Sequence, residues 1–192
     1  MTLPQRDTPH HTYADYLTWP EGGRYELING VAYVREPPAP SRFHQEVVGE
    51  LYLQIRLALQ GKPCRVYVAP FDVRLPESGE ADEQITTVVQ PDVLIVYGLH
   101  KLDDRGMRGA PDWIAEVLSP GTARHDQIVK LPVYERAGVR EVWLVHPTER
   151  TVTIYRLEGS CYGLPVTLEL KGRTAIGAIA GVSIDWDRLP AI

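Results

Sequence analysis

The order of apolar and polar positions predicts a chain in which β-strands alternate with two main helices. Residues 88–96 and 111–118 contain nearly continuous apolar runs, which is typical of central strands covered on both faces. Residues 24–28 and 31–35 flank Asn29-Gly30, a dipeptide that favours a tight hairpin turn. Further strands are predicted at residues 64–75, 140–146, 151–157 and 166–170.

Two segments have features of amphipathic helices. In residues 41–60 apolar side chains recur every three or four positions, and Gly61 favours a helix end. Residues 126–137 predict a second helix, followed by Gly138. Pro132 conflicts with a regular helix there, because a proline removes a backbone hydrogen bond and clashes with the preceding turn. We therefore expect either a kink or a helix that starts later, with Pro132 in its first turn.

Together these elements predict one α/β domain, a mixed central β-sheet flanked by the two helices. A chain of 192 residues is long enough to bury a sizeable core. We place the domain at residues 24–192 and assign residues 1–23 to an N-terminal leader with a short helix. The segment from residue 171 onward has no clear period, and Ile184, Trp186 and Leu189 predict that it folds back onto the core.

Composition narrows the functional classes. A net charge of -5 lowers the expectation of a protein that coats nucleic acid non-specifically, although it is compatible with a local basic patch. Cys64 and Cys161 stand far apart and outside any Cys-x-x-Cys pattern, which indicates reduced thiols rather than a metal site. No secretory signal or membrane-length apolar run is present, so we expect a cytoplasmic protein.

The candidate chemistry lies in the two central strands. Asp92 and Glu116 each interrupt an apolar run, and a carboxylate buried in a strand is costly unless something pairs with it. A hard divalent cation such as Mg²⁺ is one such partner. Lys130 follows on the predicted second helix. Two carboxylates and a lysine form the minimal set for metal-assisted phosphodiester hydrolysis.

These residues also carry a family resemblance. The matching motifs are Pro91-Asp92, Glu116-Val117-Leu118-Ser119-Pro120, Asp126, Lys130, Tyr134 and residues 138–143, with residues 25–30 and His44 upstream. In this order they resemble the Uma family of predicted endonucleases, within the restriction-endonuclease-like PD-(D/E)xK superfamily. The resemblance spans roughly residues 24–156. It implies a restriction-endonuclease-like fold, Mg or Mn as the cofactor, DNA as the partner and a homodimer.

The sequence departs from the superfamily motif at one position. Leu118 stands where the motif has a lysine, two positions after Glu116. Lys130 is the natural substitute, since its long stem allows the ammonium to enter the same space. The alternative is a surface ion pair between Lys130 and Asp126. Glu26 is a further acidic candidate at the metal site, with a solvent-facing strand position as the alternative.

Other candidates concern substrate binding. Tyr134 is spaced four residues from Lys130 and is expected to hold it in place. His44 and Arg42 begin the first long helix, where His44 could touch a phosphate, orient a carboxylate or remain solvated. Arg105 lies in a basic loop, residues 97–110, that is the best candidate for contacts with a phosphate backbone, with a solvated loop as the alternative.

Two function hypotheses follow. The first is a Mg- or Mn-dependent endonuclease that hydrolyses phosphodiester bonds of DNA, with Asp92, Glu116, Lys130 and Glu26 as its catalytic residues. The second is a catalytically inactive nucleic-acid-binding or assembly module on the same scaffold. The acidic charge and Leu118 favour the second. The carboxylates and Lys130 favour the first, because a scaffold without chemistry has no structural need for buried charges.

Overall fold

Two large β-sheets, a two-stranded sheet and several helices make up the described part of the fold in the computed structural model. The structure describes residues 10–20, 25–34, 41–77, 79–119, 121 and 123–189. The predicted leader up to residue 9, the start of the first strand at residue 24 and Pro120 lie outside the described residues. Among the described residues, no helix has the length and apolar character that crossing a membrane would require.

The first sheet has six strands in the order β2-β1-β5-β4-β8-β7. Its strands are β1 (Tyr25–Ile28), β2 (Val31–Val34), β4 (Val73–Arg74), β5 (Val88–Val89), β7 (Leu102–Asp103) and β8 (Gly106–Arg108). β1 and β2 form the predicted hairpin, with positive φ at both Asn29 and Gly30. β7 and β8 form a second hairpin within the segment that was predicted to be a loop, so that prediction was wrong.

The second sheet is larger and holds the central strands. Its strands are β3 (Arg65–Val68), β6 (Val93–Val96), β9 (Trp113–Val117), β10 (Glu141–His146), β11 (Thr151–Glu158), β12 (Cys161–Tyr162) and β13 (Val166–Glu169). The order is β12-β11-β10-β9-β6-β3, with β13 also paired to β11. β9 and β10 are parallel, whereas β6 pairs with β9 antiparallel. Every residue of β6 and β9 is buried, which confirms the prediction of strands covered on both faces.

Two predicted strands are each divided between the two sheets. Residues 64–75 become β3 and β4, and residues 88–96 become β5 and β6, with Pro70 and Pro91 at the divisions. A proline has no N–H to donate to a ladder, so the pairing ends there and the chain passes to the other sheet. The two crossings lie side by side, because the Ala69 N–H donates to the Asp92 carbonyl at 3.2 Å.

Helices cover both faces of the second sheet. α1 (Tyr13–Tyr16) is the predicted short helix, and α2 (Arg42–Ala58) begins after Ser41, whose side chain accepts a hydrogen bond from the His44 N–H. The buried stripe of α2 lies in one apolar cluster with Trp113, Trp143 and Trp186. That cluster confirms that the C-terminal segment, which includes β14 (Arg173–Ala175) and β15 (Ser183–Asp185), folds back onto the core.

The predicted second helix begins earlier than residue 126 and is irregular. It consists of α3 (Ala123–His125), a π-helical segment (Asp126–Lys130) and α4 (Leu131–Ala137). Pro132 lies in the first turn of α4, which is one of the two arrangements that were expected. The π-helical segment was not predicted. α4 packs on the opposite face of the second sheet from α2, against Ile114, Val142 and residues of the first sheet.

Candidate functional site

The two candidate metal ligands meet where β6 and β9 run side by side. Val93 pairs with Ala115, and the same register continued by one residue sets Asp92 opposite Glu116. The Asp92 N–H donates to Glu116 Oε2 at 3.4 Å. Glu116 is fully buried and Asp92 is 7% exposed. Two carboxylates from distant parts of the sequence are therefore neighbours at one end of the central strands.

Asp92 is held by groups on both sides. Its Oδ2 accepts the Val117 N–H at 2.8 Å and lies 3.2 Å from His44 Nε2. Burial acts to raise the pKa of Asp92, but the His44 hydrogen bond and the charges of His44 and Lys130 outweigh it and lower that pKa below its ordinary value. Asp92 is therefore ionised. The alternative of a solvated His44 does not hold, since its side chain is 12% exposed and contacts this carboxylate.

Lys130 lies at the centre of the acidic residues. Its Nζ is 2.5 Å from Glu116 Oε1, 2.9 Å from Glu26 Oε1 and 3.7 Å from Asp126 Oδ1, and its side chain is fully buried. The alternative of a surface ion pair with Asp126 is therefore wrong. The π-helical segment and α4 place Lys130 and Tyr134 against the same strand.

Tyr134, which was expected to hold Lys130 in place, contacts Glu116, and its ring centroid lies 5.9 Å from Lys130 Nζ. Its hydroxyl donates to Glu116 Oε1, the same oxygen that Lys130 approaches. Burial, followed by the charges of Glu116 and Glu26, raises the pKa of Tyr134 well above its ordinary value. Tyr134 therefore remains protonated and acts as a donor that fixes the Glu116 carboxylate.

Glu26 brings the first sheet into the site. It is fully buried, so the alternative of a solvent-facing position is wrong. Its Oε1 accepts the Gln90 N–H at 2.9 Å, and its Oε2 lies 3.1 Å from His125 Nε2. The ring of His125 also packs on Tyr33 at 4.8 Å between centroids. The sequence analysis did not name His125 as a site residue, because its partner Glu26 lies 99 positions away and no local pattern links the two.

Four acidic side chains are buried together in this cluster. They are Glu26, Asp92, Glu116 and Asp126, which surround Lys130. Burial of ionised carboxylates is costly unless positive charge lies close to them. A divalent cation beside the carboxylates would supply that charge.

The donor chemistry fits a magnesium-type ion held partly by its substrate. Asp92 and Glu116 offer carboxylate oxygens, the donors that Mg²⁺ and Mn²⁺ prefer. In the part of the chain that the structure describes, no group of three or more His, Cys, Asp or Glu side chains is arranged to hold a metal ion. Mg²⁺ is commonly bound by one or two carboxylates together with waters and substrate phosphates, and this arrangement agrees with that mode.

Three other residues that were named from the sequence lie apart from the carboxylate cluster. Arg42 is exposed and pairs with Glu46 at 2.5 Å. Arg105 lies on the β7–β8 hairpin at the rim of a cavity. Leu118, in the place of the motif lysine, packs in the apolar cluster with α4. The substrate-binding roles of Arg42 and Arg105 remain predictions.

The arrangement is that of a nuclease-type α/β fold, and comparisons with known proteins agree. A crystal structure described as a "putative nuclease belonging to DUF820" from Anabaena variabilis ATCC 29413 superposes with a TM-score of 0.72 over 93% of this chain and 96% of that chain, at 19% identity. At that identity the likeness establishes the fold, which is the restriction-endonuclease-like α/β fold that was predicted.

The family follows from the sequence match. The model of the Uma2 family, described as "Putative restriction endonuclease", matches residues 13–187. The chain therefore belongs to the Uma2 family, as the motifs indicated. No curated protein matches it.

Proposed function

We propose that this protein is a metal-dependent endonuclease that hydrolyses phosphodiester bonds of DNA. The observation that supports it is the buried group of four carboxylates around Lys130, placed where the central strands end. Burial of four acidic side chains in one place is costly, and a purely structural core has little use for them. Membership of a family of nucleases agrees with this reading.

The residues have distinct roles in this proposal. Asp92 and Glu116 would hold Mg²⁺ or Mn²⁺, which when bound polarises the scissile phosphate and lowers the pKa of a bound water. His44 orients Asp92 through the contact at 3.2 Å. Tyr134 and Lys130 both act on Glu116 Oε1 and fix that carboxylate.

Lys130 has a second role in the proposal. Its ammonium pairs with Glu26 and Glu116, and it would offset the negative charge that develops on the phosphate oxygens during attack by water. Glu26 in turn holds Lys130 and His125, so it is assigned to positioning rather than to metal binding. In this proposal Lys130 takes the part of the motif lysine, whose position Leu118 occupies.

The first test is nicking of supercoiled plasmid with Mg²⁺ or Mn²⁺ by the wild type, Asp92→Asn and Lys130→Ala. Exposed Glu83→Gln serves as the control. We expect metal-dependent nicking that both site variants lose and the control keeps. Nicking that survives in Asp92→Asn would contradict the proposal. Loss in Asp92→Asn alone would retain the nuclease and remove Lys130 from the mechanism.

The alternative function is a binding or assembly module without catalysis. Its supporting observation is Leu118, which is 7% exposed and packed among apolar side chains where the superfamily motif has a lysine. Calorimetry with Mg²⁺ and Mn²⁺ separates the two functions. Absence of both metal binding and nicking in the wild type would favour the module, whereas metal binding lost in Asp92→Asn would favour the nuclease.

A further inference from the structure

A cavity of about 390 Å³ adjoins the carboxylate cluster. Its lining consists of Pro70, Phe71, Asp72, Gln90, Asp103, Asp104, Arg105 and Gly106. The lining segments are the two crossings between the sheets, at Pro70–Asp72 and at Gln90, together with the tip of the β7–β8 hairpin. The cavity is open to solvent on one side, so a ligand could enter it from the surface.

The cavity lies next to the proposed metal ligands. Gln90 lines it and also donates its N–H to Glu26 Oε1 at 2.9 Å. Gln90 is two residues before Asp92, a backbone distance of about 7 Å for extended chain. On the neighbouring strand, Pro70 follows Ala69, whose N–H donates to the Asp92 carbonyl. Asp92 does not line the cavity, but Gln90 and Pro70 connect the cavity lining to the strand ends that carry Asp92.

An aromatic pair forms one side of the cavity. Phe71 lines it, and Tyr67 stacks on Phe71 with ring centroids 4.2 Å apart and planes at 12°. This near-parallel stack holds the Phe71 ring in a fixed orientation. Stacking on an aromatic side chain is the common way in which proteins bind unpaired bases, and it tolerates different base sequences.

A fixed carboxylate forms another side. Asp72 Oδ1 accepts from the Tyr16 hydroxyl at 2.9 Å and from Gln90 Nε2 at 2.8 Å. Both of these donors use Oδ1, so a further donor from a ligand would be accepted by Oδ2. The Asp72 carbonyl is also fixed, because it accepts the Met107 N–H at 2.9 Å and approaches Gly106 at a point where a Cβ atom would lie only 2.3 Å away.

The charge of the lining distinguishes between parts of a nucleotide. Asp72, Asp103 and Asp104 outnumber Arg105, and Asp103 is paired with Arg74 at 2.5 Å. The carboxylates beside Asp72 disfavour a phosphate on that side of the cavity, whereas Arg105 at the hairpin tip keeps its predicted contact with a phosphate backbone. A nucleobase is neutral and can donate from its amino group to a carboxylate, as cytosine N4 does to Asp or Glu.

We propose that this cavity binds an unpaired nucleobase with an exocyclic amino group, adjacent to the scissile phosphate. Phe71 stacks on the base and Asp72 Oδ2 accepts from its amino group. The proposal rests on the proposed nuclease function, and it specifies the substrate class as nucleic acid with an unpaired nucleotide at the cleavage position. A base within a duplex must leave the stack to enter such a cavity.

The test uses equilibrium binding, so that it does not depend on cleavage. The probe is a single-stranded DNA oligonucleotide with one 2-aminopurine, titrated in Ca²⁺ and followed by 2-aminopurine fluorescence and by anisotropy. The proteins are the wild type, Phe71→Leu, Asp72→Asn and the control Glu83→Gln, each checked for folding by thermal melting. Phe71→Leu keeps an apolar side chain and Asp72→Asn keeps the shape, so both variants should fold.

We expect quenched fluorescence with the wild type and the control, and binding weakened about tenfold or more in Phe71→Leu, as expected for the loss of one stacked base. Asp72→Asn should lose preference for cytosine over thymine at the unpaired position of otherwise identical oligonucleotides. Equal affinity and quenching in the wild type and Phe71→Leu, or no oligonucleotide binding at all, would overturn the proposal.

Cleavage assays keep this result separate from the nuclease proposal. If the wild type nicks plasmid with Mg²⁺ but binds the probe no better than Phe71→Leu does, the base site fails and the nuclease remains. If the probe is quenched through Phe71 but nothing is cleaved, the base site is supported and the nuclease fails.

Discussion

Lys130 contacts both buried carboxylates Glu26 and Glu116 directly. Its stem is fully buried, so the ion pairs are shielded from solvent. Removal of one partner from a buried ion pair leaves the other charges uncompensated, which is more damaging than loss of a surface pair. The residue is therefore central to stability as well as to the proposed chemistry.

We predict that Lys130→Met lowers the free energy of unfolding in metal-free buffer by about 3–5 kcal/mol, measured by urea denaturation. The methionine fills a similar volume, so the loss reflects the missing charge. Exposed Lys171→Met is the control and should change stability by less than about 0.5 kcal/mol. Equal stability of Lys130→Met and the wild type would contradict the ion-pair network.

His44 is the residue through which Asp92 is expected to be tuned. Without the hydrogen bond and charge of His44, burial raises the pKa of Asp92 and protonates it at higher pH. We predict that His44→Ala weakens Mn²⁺ binding by about 10–100-fold, as is typical for loss of a group that orients a metal ligand. Calorimetry at several pH values measures this.

The direction in which metal binding changes with pH gives a sharper test of the role of His44. In the wild type the depressed pKa keeps Asp92 ionised, so metal binding should be retained as the pH falls. In His44→Ala metal binding should be lost at a higher pH than in the wild type. His100→Ala, an exposed histidine, is the control. Identical pH profiles for His44→Ala and the wild type would exclude this role.

At the scale of elements, the π-helical segment determines how Lys130 reaches the sheet. Pro132 has no N–H to return to the carbonyl four residues earlier, so a regular α-helix cannot continue through it. The π-helical turn at Asp126–Lys130 absorbs this interruption. Asp126 and Lys130 face inward, while Ile128 between them is exposed.

We predict that Pro132→Ala allows an α-helix through this region and thereby separates stability from activity. Alanine restores the missing donor, so the free energy of unfolding should be unchanged or higher. Lys130 should rotate away from Glu116, and plasmid nicking should fall at least tenfold. The control is Pro165→Ala in an exposed connection. Full activity in Pro132→Ala would mean that the π-helical turn does not position Lys130.

At the scale of the whole molecule, the second sheet separates a structural face from the site face. Trp143 and Trp186 pack with α2 on one face, with centroids 5.9 Å apart, and Trp186 Nε1 donates to Thr174 at 2.8 Å. Buried Glu141 holds the C-terminal segment by accepting hydrogen bonds from the Gly177 and Ala178 N–H groups. Lys130 and Tyr134 approach from the other side.

We predict that Trp186→Ala lowers the free energy of unfolding by about 3–5 kcal/mol, because a fully buried indole is lost and a cavity remains. Nicking per folded molecule, measured well below the melting temperature, should stay close to that of the wild type. Leu164→Ala, at a 95% exposed position, is the control. A large loss of activity in folded Trp186→Ala would show that the two faces are coupled.

Much of this fold could be predicted from local pattern. The Asn29-Gly30 hairpin, the stripe of α2 and the buried runs of β6 and β9 follow from turn chemistry and periodicity, which depend on near neighbours in sequence. Asp92, Glu116 and Lys130 could be recognised as candidates because a charge within or beside an apolar run is costly to bury without a partner. Family membership could likewise be inferred from the ordered motifs, and the match over residues 13–187 confirms it.

The tertiary structure decided which of these groups meet. Glu26 and His125 are 99 positions apart, and only the packing of the first sheet against α3 and the π-helical segment joins them. The crossings at Pro70 and Pro91 divide strands that looked continuous, because apolar content does not reveal which sheet a residue joins. The cavity beside Asp92 likewise depends on three separate segments whose contact is set by strand pairing, and no local pattern encodes that pairing.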